Sequence, residues 1–236
     1  MTDKKEIVWI TGASTGIGKE ITAQFLKNGI NVAASSRFKN SLEKLEQEFS
    51  DYSDQLNVYP LDISEKEQVK EVYQEINKKY FVYGLINCAG ITSFSKVLED
   101  SEDLIKKIVE TNLLGSIYAI KNVLPKMISR KGIIINIISV AAVKVFEQSS
   151  AYSASKAGLM TYTNVLREEL RDKNVKILNI LPGATRTPIW PNETLEKFSD
   201  KMMSPADVAE FIFNLFSIDS NLVPEEVVIR PISGDL

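Results

Sequence analysis

Ile7-Val8-Trp9-Ile10 runs directly into Thr11-Gly12-Ala13-Ser14-Thr15-Gly16-Ile17-Gly18. A short apolar run of this kind reads as a strand buried on both faces. The glycines behind it permit a tight turn and close backbone approach, and the pattern over 17–28 predicts a helix. The start of such a helix offers free N–H groups and a positive dipole end to a diphosphate. The spacing is Gly-x-x-x-Gly-x-Gly, which differs from the commonest dinucleotide fingerprint. A mononucleotide P-loop fits worse, because Ala13 stands where its first glycine belongs and Glu20 where its hydroxyl belongs. Taken alone, the loop is equally compatible with a plain strand-to-helix turn.

The same alternation continues along the chain. Apolar or β-branched runs at 7–10, 31–35, 56–60, 84–87, 132–138, 176–180 and 227–229 predict strands. Amphipathic segments near 17–28, 40–49, 65–79, 102–129, 153–172 and 205–217 predict helices, with cap-like starts at Ser64 with Glu67 and at Ser204 before Pro205. Strands that are apolar throughout, each followed by a helix, imply an α/β fold of the doubly wound type. The expectation is a Rossmann-like parallel sheet of about seven strands with helices on both faces. No repeat or linker interrupts it, so residues 1–236 read as one domain. Two loops break the rhythm: 140–150 after Ser139, and an irregular stretch from Leu181 to about Ser204. Both should open at the carboxyl edge of the sheet, where folds of this type bind ligands.

Composition excludes several classes. The chain of 236 residues has a net charge of −3 and no basic block, so neither a nucleic acid nor an anionic membrane surface is expected as partner. The start Met1-Thr2-Asp3-Lys4-Lys5-Glu6 is charged, and neither a signal peptide nor a spanning segment is read from it. The single cysteine, Cys88, rules out an internal disulfide and suits a reducing compartment, with the cytoplasm as the default. Without a histidine partner it reads as a small core filler rather than a catalytic thiol. No metal ligands are assigned.

Chemistry concentrates in Ser139 and Tyr152-Ser153-Ala154-Ser155-Lys156. A tyrosine and a lysine four apart share one helical face. A nearby cation stabilises a phenolate and pulls its pKa toward neutrality, which makes tyrosine a usable proton carrier in a chain with no histidine at all. At the end of the second strand, Ser35-Ser36-Arg37 replaces the acid that would grip an NAD ribose. A guanidinium beside hydroxyls suits a 2′-phosphate instead, so NADP(H) is favoured over NAD(H). Asp62, followed by Ile63, ends the third strand and could either accept from an adenine amino group or cap the next helix. The small-residue turn Asn87-Cys88-Ala89-Gly90 could pass beneath a nucleotide.

Together these residues resemble the short-chain dehydrogenase/reductase family over essentially the whole chain. The loop from Gly12 through Ser14, Thr15, Gly16 and Ile17 to Gly18 is similar to its cofactor loop. Asp62 resembles its adenine contact, and Asn87-Cys88-Ala89-Gly90 its Asn-Asn-Ala-Gly turn with Cys88 in place of the second asparagine. Pro182-Gly183, with Thr185 and Thr187, resembles the segment that holds the nicotinamide carboxamide. Asn112, Ser139, Tyr152 and Lys156 fall in the order of the family's catalytic tetrad. The resemblance implies hydride transfer between the nicotinamide and a carbonyl or secondary alcohol. Tyr152 would serve as general acid or base, Ser139 would polarise the carbonyl, and Lys156 would bind the ribose and lower the Tyr152 pKa. Asn112 would hold a relay water. The stretch after Lys156 is too short for the separate substrate domain of the extended branch, which disfavours an epimerase or dehydratase.

An NADP-binding sensor or scaffold without turnover is the alternative, and the physiological direction stays open. The substrate is a small carbonyl or alcohol of unknown identity. Val143, Val145, Phe146, Ile189 and Trp190 are candidate apolar walls or simple loop anchors. The resemblance also implies a homodimer or homotetramer through the helices at 102–129 and 153–172. Leu113, Leu114, Tyr118, Leu159 and Tyr162 could serve that contact or the monomer's own core.

Overall fold

The computed structural model describes residues 4–236, so Met1-Thr2-Asp3 at the charged start lies outside the described residues. Seven strands form one parallel sheet: β1 (Lys5–Thr11), β2 (Val32–Ser36), β3 (Leu56–Pro60), β4 (Tyr80–Asn87), β5 (Gly132–Ile137), β6 (Val175–Pro182) and β7 (Glu226–Ile229). Their spatial order is β3-β2-β1-β4-β5-β6-β7, so the winding reverses between β1 and β4. That reversal opens a crevice at the carboxyl ends of the two strands.

Period-two alternation decides which helix covers which face. Ile7 and Trp9 of β1 join Leu85, Ile134 and Ile177 in a core under α3 (Lys66–Lys79), α5 (Ser116–Arg130) and α6 (Ser150–Glu169). Val8 and Ile10 join Ile86, Ile135 and Leu178 on the other face, beneath α1 (Gly16–Lys27), α2 (Lys39–Glu48) and α8 (Pro205–Phe216). All four residues of Ile7–Ile10 are fully buried, as a strand covered on both sides requires. No helix among the described residues is long and apolar enough to cross a membrane.

Three elements depart from the sequence pattern. The helix expected over 102–129 is divided: α4 (Glu102–Val109) passes through a π-helical turn, Glu110–Gly115, into α5. Gly115 explains the close fit there, because a Cβ would fall 2.7 Å from the Ile63 carbonyl oxygen. Second, the irregular stretch after β6 contains a short helix α7 (Asn192–Phe198), and a Thr185–Met203 bridge returns it to the sheet edge. Third, α3 is entered through Asp62, whose Oδ1 accepts from the Ser64 N–H and hydroxyl at 3.1 and 2.6 Å; Glu65 takes the cap position. The Ser204 cap forms as expected, its hydroxyl accepting from the Ala206 N–H at 3.2 Å ahead of Pro205. Of the candidate contact residues on the long helices, Leu159 belongs to the buried core, with Leu113, Tyr118 and Tyr162 packed partly buried against it.

A row of asparagines crosses the middle of the sheet. Asn87, Asn136 and Asn179 are in register on β4, β5 and β6 and are essentially fully buried. Each side-chain amide donates to the next, Asn87 to Asn136 at 2.9 Å and Asn136 to Asn179 at 3.0 Å. Asn179 ends the row on Asn164 and Thr163 of α6. Buried amides tolerate this position because each side-chain NH2 group finds an acceptor, Asn87 Oδ1 alone in the row being left without a donor.

Candidate active site

The crevice at the winding reversal is built from glycine geometry. Gly12 follows β1 with φ +68°, and a Cβ on it would meet the Ala89 backbone at 2.7 Å. The loop therefore lies directly on the turn that follows β4. Thr11 fastens the two: its hydroxyl oxygen accepts from the Cys88 and Ala89 N–H groups at 3.2 and 3.3 Å. Gly16 opens α1 with φ +53°, and a Cβ there would lie 3.0 Å from Thr187. A Cβ on Gly18 would run into the Gly12 carbonyl. The first turn of α1 holds no acidic side chain and no side-chain cap; its Gly18 N–H is turned to Cys88, and the start of the helix is otherwise uncapped by side chains.

A cleft of about 650 Å³ runs from this loop along the carboxyl edge to the loop after β6. It gathers Gly12, Ser14, Thr15, Gly16, Ile17, Ala89, Gly90, Ser139, Tyr152, Lys156, Pro182, Gly183, Thr185 and Thr187, every one a sequence candidate. The remaining candidates lie off it. Gly18 sits beneath the loop, and Ser36 and the exposed Arg37 end β2, with the Arg37 guanidinium over the Phe38 ring at 4.5 Å. Asp62 and buried Ile63 follow β3, and Asn87 anchors the asparagine row. Ser36 Oγ is buried with no hydrogen-bond partner, and so is Asn87 Oδ1.

Tyr152 lies in the first turn of α6 and Lys156 one turn later, so the i, i+4 spacing brings both to the same floor. Lys156 is 4% exposed and donates to the Ile137 carbonyl at 2.7 Å, at the end of β5. Its ammonium is 5.9 Å from the centre of the Tyr152 ring. Gly90 faces the same floor: a Cβ on it would come into ordinary contact with Lys156 Nζ at 3.5 Å and Asn112 Oδ1 at 3.4 Å. The loop of Ser139 is held by its own hydroxyl, which accepts from the Ala141 N–H at 3.1 Å.

The electrostatics differ from the simple cation–phenolate picture. Burial raises the Tyr152 pKa, Ser139 works against that by favouring the phenolate, and Cys88 adds to the rise. Burial also lowers Lys156 to about 8, with Cys88 pulling the other way. Removing both groups from water disfavours both charged forms, and this dominates each shift. The expected fall in the Tyr152 pKa is therefore not present in the protein alone. Cys88 itself is pushed up to about 11 by burial, against the Lys156 charge and the Gly18 N–H. A thiol so protonated is a poor nucleophile, consistent with its reading as a filler, although it also lines the cleft.

Asn112 lies on the π-helical turn, fully buried behind the cleft. Its Oδ1 accepts from the Ile91 N–H at 2.9 Å, while its amide donates to the Ile91 carbonyl at 2.9 Å and to Ser155 at 3.0 Å. Both amide protons are committed, which leaves one Oδ1 lone pair for a water. The side chain straps the loop after β4 to α6.

Among the candidate walls, Phe146, Ile189 and Trp190 line the cleft. Val143 and Val145 point out to solvent, 54% and 92% exposed, so the expectation fails for them. The sequence pattern missed Phe94, which stacks on Trp190 at 5.0 Å between ring centres, and it missed Asp235 and Leu236 after β7. Phe94 stands four residues past the Asn87–Gly90 turn, a usable signal, whereas nothing near Asp235 marks it.

Three comparisons with known proteins bear on this geometry. Residues 6–197 match the family model described as short chain dehydrogenase. An uncharacterised oxidoreductase of Staphylococcus aureus strain MRSA252 is 30% identical over 98% of this chain and 99% of its own length. ElxO, solved with NADP bound, superimposes with a TM-score of 0.88 at 30% identity, covering 96% of this chain and 97% of that one. A closed form of serine dehydrogenase complexed with NADP+ gives 0.90 at 25% identity over 98% and 96%. With its fold, its glycine loop and its whole-length relatives in agreement, the chain belongs to the short-chain dehydrogenase family of oxidoreductases.

Proposed function

We propose that this protein is an NADP(H)-dependent oxidoreductase, acting as one domain, that interconverts a small carbonyl compound and its secondary alcohol. The observation that carries the reading is the convergence of Tyr152, Lys156 and Ser139 in one cleft with the glycine loop. A nicotinamide dinucleotide fits the residues present. The uncapped start of α1, with Ser14 and Thr15, suits a diphosphate, and a side chain at Gly12 or Gly16 would force the loop off Ala89 or Thr187 and distort that cradle. Ser36 Oγ, buried without a partner, and the exposed Arg37 beside it suit a 2′-phosphate. Asp62 and Ile63 would flank the adenine, Asn87, Ala89 and Gly90 would back the nucleotide, and Pro182, Gly183, Thr185 and Thr187 would hold the carboxamide end. The bound dinucleotide supplies the hydride.

Proton movement belongs to the chain. Tyr152 keeps its proton through the neutral range because burial raises its pKa. It is thus charged with a proton to give to a carbonyl oxygen in the reductive direction. Ser139 orients and polarises that oxygen. Lys156, fixed on the Ile137 carbonyl, binds the ribose and returns the proton, with a water on Asn112 as the link outward. The apolar walls Phe146, Ile189 and Trp190 line the open side of the cleft, where a substrate's carbon skeleton would lie. Its lone cysteine suits a reducing cytoplasm, and apolar Ile128 and Val165, 37% and 56% exposed on α5 and α6, suit a homodimer or homotetramer.

The test is a thermal-unfolding titration with NADPH and NADH on wild type and Arg37→Asp, followed by turnover of Tyr152→Phe. Ligand at ~100 times its Kd adds about 2.7 kcal/mol of stability. NADPH should stabilise the wild type more than NADH does, and Arg37→Asp should reverse the order. Tyr152→Phe should bind NADPH normally and lose turnover by about two orders of magnitude or more. Wild-type rates in that variant would remove Tyr152 from the mechanism, and binding without turnover in the wild type would favour a sensor.

A further inference from the structure

The substrate end of the cleft contains a carboxylate that the mechanism above does not use. Asp235, on the segment after β7, lines the cleft, and its side chain is only 9% exposed. Oδ2 takes the Lys144 ammonium at 2.6 Å and the Arg230 guanidinium at 3.4 Å. Oδ1 is buried and has no hydrogen-bond partner. A carboxylate held rigidly through one oxygen, with the other left bare, is costly to maintain, because a buried acceptor without a donor loses its hydration and gains nothing in return.

Its neighbours place it on the substrate side. Lys144 belongs to the loop that follows Ser139, its N–H donating to the Val140 carbonyl at 2.9 Å, and its ammonium lies 5.4 Å from the centre of the Phe146 ring, a cleft wall. Arg230 and Pro231 lie beside Gly183, where a Cβ would come within 3.4 and 3.2 Å of them. Of the cleft walls, Phe146, Ile189 and Leu236 carry no side-chain donor, and the Trp190 indole N–H is committed to the Thr185 carbonyl at 3.1 Å. Two cations on Oδ2 already offset the charge, so what Oδ1 lacks is a hydrogen-bond donor rather than a third cation.

We propose that Asp235 is a specificity residue whose Oδ1 accepts a hydrogen bond from a hydroxyl group on the substrate, so that the preferred carbonyl compound is a hydroxyketone or hydroxyaldehyde rather than a plain alkyl one. This rests on the oxidoreductase reading above. Sites built to bond a substrate hydroxyl discriminate strongly against the analogue that lacks it, since the buried acceptor is then left unpaired.

The experiment follows NADPH consumption with near-isosteric pairs: hydroxyacetone against butanone, and longer ω-hydroxyketones against methyl ketones of equal chain length. Wild type should favour at least one hydroxylated member by about tenfold in kcat/KM, the scale of one buried bond to a carboxylate. Asp235→Ala should bring that ratio close to one while leaving the plain ketone and NADPH binding nearly unchanged. Lys144→Met leaves Arg230 holding Asp235, so it should change both members of a pair alike and keep the ratio. A wild type blind to the hydroxyl, an Asp235→Ala variant that keeps the preference, or a Lys144→Met variant that loses it as fully as Asp235→Ala would each overturn the assignment. No turnover with any probe, in either direction with the corresponding alcohols, would overturn the oxidoreductase reading itself.

Discussion

Replacing Lys156 by Met removes a cation that the fold keeps at the expense of its own stability. Lys156 is 4% exposed, and its ammonium donates to the Ile137 carbonyl at 2.7 Å. Burial lowers its pKa from 10.5 to about 8. That displacement corresponds to about 3 kcal/mol of disfavoured charge below pH ~8. Between about pH 8 and 10.5 the unfolded chain holds this proton more tightly than the folded one. Stability contributed by Lys156 therefore rises with pH across that window. Urea unfolding of wild type and Lys156→Met at pH ~7 and ~9.5 should show the wild type gaining about 2 kcal/mol relative to the variant. Tyr152 and Cys88 titrate in both proteins, so their effects largely cancel in the difference. A difference that stays constant, or moves the other way, would refute the claim that burial dominates at this lysine. The same variant should lose turnover, because it also removes the cation beside Tyr152.

Two further substitutions test the framework. Asn136→Ala orphans the Asn87 amide and takes a donor from Asn179 in a fully buried row, so unfolding free energy should fall by about 2–4 kcal/mol. A loss below about 1 kcal/mol would mean that the row is dispensable. Gly12→Ala forces a Cβ against the Ala89 backbone at positive φ, so it should cost about 1–3 kcal/mol and abolish NADPH-induced stabilisation. Retained stabilisation would show that the diphosphate does not lie on this turn.

Much of the molecule was legible in local pattern. Ile7–Ile10 announced a strand covered on both faces, and the alternation that follows it fixed a parallel sheet. Tyr152 and Lys156 could be paired from helical spacing alone, and the glycine loop marked the end of the sheet at which they meet. Val143 and Val145 misled because an apolar residue in a loop carries no period, so nothing local says whether it turns inward. Asp235 and Lys144 were invisible as site residues for the same reason, their meeting being set by chain segments 91 residues apart.

What the sequence determined by itself was the element order, the two-sided burial of the strands and the meeting of Tyr152, Lys156 and the glycine loop at one end of the sheet. These depend on spacing of a few residues, which the backbone geometry of strand, turn and helix converts directly into faces and edges. What only the tertiary structure decided was the state of those groups. Lys156 is near 8 and Tyr152 is raised because strands and helices distant in sequence close over them and exclude water. Asn112 is committed to Ile91, and Asp235 is held between Lys144 and Arg230, by contacts that no local pattern encodes. Desolvation and long-range pairing are properties of the packed whole, so chemistry could be named from the chain while its tuning could not.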